Sequence, residues 1–154
     1  MKTLLLLPAL FSSEGGIERI MRLYTKALGE LAAPDDTVVA IVLNDRKIPP
    51  DRLAPYRAPT LARVIPCGRR HGRFLWHLWR EARRADRIIC GHIHLLAVAH
   101  SLKALRRAVP TALIAHGIEV WRSFSLFERW ALRATQRVLC VSDYTRRRII
   151  SACP

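Results

Sequence analysis

Residues 3–31 read TLLLLPALFSSEGGIERIMRLYTKALGEL, and a change of period inside this stretch decides the fold. Thr3–Leu7 is a continuous apolar run of strand length. Small and polar residues follow. Then Ile17, Ile20, Met21, Tyr24, Leu28 and Leu31 recur at steps of three and four, the period of a helix with one buried face. Lys2 ahead of the apolar run Leu4–Phe11 imitates a short secretory leader. No clean small-x-small cleavage site follows, and the run is at the short end for such a leader. A glycine pair and an amphipathic helix are the usual sequel to a buried first strand. We therefore read a strand and then a helix over Gly16–Leu31.

The same alternation continues outward. Thr37–Leu43 is β-branched and reads as a second buried strand. Asn44–Pro59 holds four prolines and reads as a loop. Short strands are expected at Ala62–Ile65, Arg87–Cys90, Thr111–Ala115 and Arg137–Val141. Helices are expected at Phe74–Arg84, Leu95–Arg107, Phe124–Arg133 and Asp143–Ser151, the last capped by Ser142 or Asp143. The strands are apolar throughout rather than alternating, which predicts burial on both faces. The expected fold is α/β: a Rossmann-like, doubly wound parallel sheet of about six strands with helices on both faces. At 154 residues the expectation is one domain, with no internal repeat.

Composition narrows the function. Lys and Arg number 26 against 12 acidic residues, a net charge of +14, and 22 of the 26 are Arg. Residues 1–60 are nearly balanced; residues 61–154 hold the excess. A basic half suits an anionic partner or a solvated Arg face. Cys67, Cys90, Cys140 and Cys153 form no CxxC pair, which reads as a reduced, cytoplasmic protein. No apolar run reaches the ~18 residues of a membrane-spanning helix.

In an open parallel sheet, ligands bind beyond the carboxyl ends of the strands. Gly15 and Gly16 follow the first strand, and Glu18 suits the first turn of the helix after it. There the backbone can approach an anion, although neither GxGxxG nor a Walker loop is present. His92 and His94 follow the fourth strand. They lack Cys or carboxylate neighbours at ligand spacing, so no metal site is expected; His92 could equally cap the next helix. His116, Gly117 and Glu119 follow the fifth strand. His116 is the candidate catalytic residue, since a neutral imidazole there can orient or deprotonate a hydroxyl; the alternative is a satisfied strand-end histidine. Ser142, Tyr144 and Arg146 follow the sixth.

Four stretches in this order are similar to the N-terminal domain of GT-B glycosyltransferases of the family-4-like group: Gly15-Gly16-Ile17-Glu18-Arg19, Gly91-His92-Ile93-His94, His116-Gly117-Ile118-Glu119-Val120-Trp121 and Val141-Ser142-Asp143-Tyr144-Thr145-Arg146. The resemblance implies two Rossmann-like domains across a cleft, the first binding the acceptor and the second the nucleotide-sugar. It implies transfer with retention of configuration, no active-site metal and no cofactor beyond the nucleotide-sugar co-substrate. Gly15 and Gly16 would lie against donor phosphates or acceptor, His116 beside the reacting sugar, and Ser142 and Tyr144 along the cleft. Glu18, His92, His94, Gly117, Glu119 and Arg146 would complete the substrate-binding lining. Family members are about twice as long. The expectation is therefore that the donor-binding domain is missing or supplied in trans, and that this polypeptide alone is inactive or nearly so. An apolar patch should then be exposed near the C-terminus.

Over Phe74–Arg84, a helical projection puts Phe74, Leu75, Leu78, Trp79 and Ala82 on one side. Arg73, His77, Arg80, Arg83 and Arg84 fall on the other, with Trp76 near the boundary. This reads as a sheet-covering helix with a solvated Arg face. The alternative is an anionic membrane surface bound through Arg69, Arg70, Arg73, Arg80, Arg83 and Arg84, which fits a lipid-linked acceptor and a peripheral location at the inner face. A non-enzymatic basic module binding nucleic acid is a competing reading. Against it, aromatics are few and not interleaved with Arg, and no nucleic-acid motif appears. A receiver-like domain lacks the Asp its chemistry needs after the first or third strand.

Overall fold

A computed structural model describes residues 1–103 and 109–153. Its centre is one six-stranded sheet, built from β1 (Lys2–Leu7), β2 (Thr37–Val42), β3 (Leu61–Pro66), β4 (Arg87–Cys90), β5 (Thr111–Ala115) and β6 (Arg137–Cys140). The strand order is β3-β2-β1-β4-β5-β6, and every pairing is parallel. The connecting helices are α1 (Gly16–Leu31), α2 (Pro50–Leu53), α3 (His71–Ala82), α4 (Ile93–Lys103) and α5 (Leu126–Arg133), with α6 (Asp143–Ala152) last. The expected continuation of α4 over 104–107 lies outside the described residues.

β1 runs through the middle of the sheet, with Leu4 opposite Val39 on one side and Ile88 on the other. Alternation along a strand sends successive side chains to opposite faces. Leu4 and Leu6 therefore join a core with Phe74 and Leu78 of α3, Leu96 of α4 and Leu132 of α5. Leu5 and Leu7 join a second core with Met21 of α1. Each buried leucine contributes about 1.5–3 kcal/mol of transfer free energy. An apolar run without alternation is thus what a doubly covered central strand requires.

Three expectations need correction. The predicted loop Asn44–Pro59 contains α2 and a 3-10 turn over Ala54–Tyr56. Pro50 and Pro55 occupy first-turn positions, where a missing N–H costs nothing. The outer strands are not buried on both faces. Ala62 and Arg63 of β3 and Arg137 and Leu139 of β6 are exposed, because an edge strand has one lateral neighbour and less helical cover. In α3 the buried line runs through Phe74, Leu78 and Glu81, while Leu75, Trp76 and Trp79 are exposed. Glu81 turns inward because Lys2 Nζ, at 2.6 Å, and an Arg63 guanidinium nitrogen, at 2.9 Å, hold its carboxylate.

Candidate functional site

The strand order makes β1, β4, β5 and β6 neighbours, and parallel pairing ends them on the same edge. Gly15 and Gly16, then His92, His116 and Ser142, therefore follow one another along a single rim. Between β1 and β4 the winding reverses, which is where such sheets open a crevice.

The glycine pair begins α1. Gly15 is the N-cap with an ordinary extended backbone, φ −83° and ψ 166°. A Cβ placed on Gly16 would meet no atom within 4 Å. Backbone angles do not demand glycine at Gly15, though a Cβ there would displace the Glu18 carboxylate; the space beside Gly16 is open. Glu18 accepts from the Ser13 hydroxyl and thereby ties the loop to the helix it precedes.

Two buried polar residues that the sequence did not mark hold that loop in place. The Asp45 carboxylate accepts from the Leu10 and Phe11 amides, both at 2.8 Å, and is 1% exposed. Arg22 donates to the Leu10 carbonyl at 2.6 Å and lies over the Phe11 and Tyr56 rings. A lone Asp in a proline-rich loop carries no spacing signal, since its partners stand more than 30 residues away in sequence.

His116 sits at the end of β5. Its ring meets the edge of Tyr24 from α1, with centroids 6.3 Å apart. Neither ring nitrogen has a well-formed hydrogen bond among the described residues, although the Gly91 main chain lies near enough to act on the ring, and Glu119 Oε2 is likewise buried and unpaired. The other Glu119 oxygen accepts the His116 main-chain N–H at 2.5 Å. Burial holds the His116 imidazole below its ordinary pKa, opposed by the Glu119 carboxylate and the nearby Gly91 main chain. His116 is therefore neutral at pH 7 and can act as base or acceptor. Gly117 has φ 132°, and a Cβ there would lie 3.0 Å from the Trp121 ring. Only glycine makes this turn without strain.

His92 is drawn into the same group. Its Nδ1 accepts the His94 amide at 3.3 Å, so it does cap α4, and its ring stacks on His94 at 5.0 Å. Burial lowers its pKa first; His94, His116 and Arg122 add to this and Glu119 opposes it. His94 itself is exposed and reaches Glu128 at 3.1 Å. Glu128 also holds Arg122 and closes a capping box with Ser125 at the start of α5. The Arg122 hydrogen bonds are the main reason its carboxyl falls to about 2. Ser125-x-x-Glu128 was a readable capping signature; its contact with His94 was not readable. Among the described residues no three His, Cys, Asp or Glu side chains form a metal-ligand group.

The third group is tied to its own helix, with Ser142 as the cap expected there. Ser142 caps α6 through the Thr145 amide at 3.1 Å and meets the Thr145 hydroxyl at 3.0 Å. Arg146 is engaged by Asp143 at 2.8 Å. Both side chains are occupied by the helix that carries them. Tyr144 is exposed and stands edge-on to Trp121, at 5.2 Å. The rim thus brings His92, His116, Gly117 and Glu119 together, with Gly15 and Gly16 across the winding reversal. Ser142 and Arg146 remain at the margin.

A doubly wound parallel sheet with its polar lip at the strands' carboxyl ends defines a Rossmann-like ligand-binding domain. The family model of Glycosyltransferase Family 4 matches residues 14–154. The chain belongs to that family and is a glycosyltransferase-like module. No curated protein matches it. Among the described residues no helix is long and apolar enough to cross a membrane.

Proposed function

We propose that this domain is the acceptor side of a retaining glycosyltransferase, which moves a sugar from a nucleotide-sugar to a hydroxyl of a glycan or lipid-linked acceptor. The observation that carries the reading is His116, neutral, on the rim, with both ring nitrogens buried and neither in a well-formed hydrogen bond. An unsatisfied buried polar atom costs about 1–3 kcal/mol. The His116 side chain as a whole is only half-buried, so a turn of its ring towards the rim lets an acceptor hydroxyl donate to it, which relieves that cost and orients the hydroxyl for attack. Gly15 and Gly16 support the reading, because the open space at Gly16 lets a substrate approach the first turn of α1. Charge on the departing nucleoside diphosphate needs preorganised donors. A donor-binding domain, in the same polypeptide or in trans, supplies them, and the domain by itself transfers no sugar.

The test is His116→Ala in the chain joined to a cognate donor-binding domain. Loss of general-base help lowers kcat by about 10²–10⁴-fold. Full turnover in the variant removes the catalytic role of His116.

A second reading concerns place rather than chemistry. Trp76 and Trp79 of α3 are exposed, each beneath an arginine: Arg80 lies 5.2 Å from the Trp76 ring centre and Arg83 4.8 Å from that of Trp79. Exposed indoles among Arg69, Arg70, Arg73, Arg80, Arg83 and Arg84 suit an anionic lipid surface on the cytoplasmic side, next to a lipid-linked acceptor.

A further inference from the structure

The three loops after β1, β2 and β3 enclose a cleft of about 380 Å³, lined by Phe11, Asp45, Arg46, Lys47, Arg52 and Arg69 among others. We propose that this cleft binds a phosphate-class anion. The inference deepens the acceptor-side reading, on which it rests for its biological meaning: the acceptor carries a phosphate or diphosphate.

Charge is the first support. Four cations line the cleft against one carboxylate, Asp45. Both Asp45 oxygens accept from the Leu10 and Phe11 amides, so Asp45 forms no ion pair with any of the four and its single charge leaves the lining with a net positive excess. Arg52 is paired with Glu14, whose side chain is 71% exposed, and it also covers the Phe11 ring at 4.9 Å. Arg46, Lys47 and Arg69 have no acidic partner among the described residues. Three cations without an acidic partner at one concave site set up a positive potential that favours an anion there.

Position is the second support. Arg69 is the single described non-glycine residue with positive φ, at 62°, directly after Gly68 at the same angle. This unusual turn is latched to the neighbouring loop: Gly68 donates to the Asp45 carbonyl and Arg69 to the Leu43 carbonyl, both at 2.7 Å. The latch fixes the Arg69 backbone beside Arg46, whose main chain lies 3.6 Å from a Cβ built on Gly68. Guanidinium groups recognise phosphate oxygens in a forked, bidentate way. The cleft volume falls within the range of small-molecule sites.

The probe is inorganic pyrophosphate, titrated into the full chain with amide shifts followed by NMR. Binding at millimolar or lower concentration should move the amides of 44–47 and 67–70. Arg46→Gln with Arg69→Gln should weaken it at least about tenfold, whereas Arg137→Gln, on exposed β6, should leave it unchanged. All three side chains are exposed, so the fold survives these changes. Vesicles of phosphatidylcholine with phosphatidylglycerol identify the source. Vesicle binding that falls in the double variant assigns the site to a lipid-borne phosphate; vesicle binding that is unchanged, beside lost pyrophosphate binding, assigns it to a soluble one. No shift at millimolar pyrophosphate, or equal affinity in the double variant, overturns the proposal. Because the readout is binding, a failure of sugar transfer in the joined enzyme counts against the transferase reading and leaves this one standing.

Discussion

One oxygen of Glu119 holds the main-chain N–H of His116 at 2.5 Å, while its other oxygen and both His116 ring nitrogens are buried without a well-formed hydrogen bond. The backbone of the histidine is fixed by the same carboxylate that biases its ring electrostatically. Glu119→Gln keeps a side-chain carbonyl for the His116 amide and removes the charge. Glu119 raises the His116 pKa against burial, so the variant should show a still lower His116 pKa in an NMR titration of the ring protons. An unchanged or higher value contradicts the proximity described.

The Glu128 network sets an acid limit on stability. The Glu128 carboxyl falls from 4.5 to about 2 in the folded protein. A depressed carboxyl pKa contributes stability that is fully present above the unfolded value and is lost as pH falls from about 4.5 towards 2. His92 and His116 act in the same direction higher up: both are lowered from 6.5, so the unfolded chain takes up protons first as pH drops below that value. Urea unfolding should weaken in two stages on acidification. Glu128→Gln should cost about 1–3 kcal/mol at pH 7 and flatten the lower stage.

Two rim glycines should behave oppositely. Gly117→Ala forces a side chain into φ 132° against the Trp121 ring, so it should destabilise by about 1–3 kcal/mol in urea unfolding. Gly16→Ala meets nothing, so stability should change by no more than about 0.5 kcal/mol. If a substrate uses that open space, sugar transfer by the joined enzyme falls with Gly16→Ala while stability holds. Equal activity in this variant assigns Gly16 no ligand contact.

Trp76→Ala with Trp79→Ala removes the exposed apolar wedge of α3 and leaves its arginines. Cosedimentation with anionic vesicles should fall at physiological salt, where charge attraction alone is screened beyond about 8 Å. Undiminished sedimentation would assign any lipid binding to the arginines alone.

The order of strands and helices was legible in the sequence because burial imposes its period on the chain. Thr3–Leu7 is apolar at every position since both sheet faces are covered, and Gly16–Leu31 repeats its apolar residues every three or four positions since one face is. The rim follows from parallel strands all ending on one edge, so the residues after each strand are candidates on sequence alone. Tertiary structure decided which of them share a site. Ser142 caps its own helix, as the local sequence already indicated, whereas the His116 ring is set beside Tyr24, a contact across 92 residues of sequence that no local pattern encodes. The phase of α3 was likewise decided from outside: Lys2 and Arg63, on other strands, draw Glu81 inward and leave two tryptophans in solvent. Local periodicity reports how much of a segment is buried. Which partners meet a polar group depends on chain elements far away in sequence, and only the folded arrangement brings them within reach.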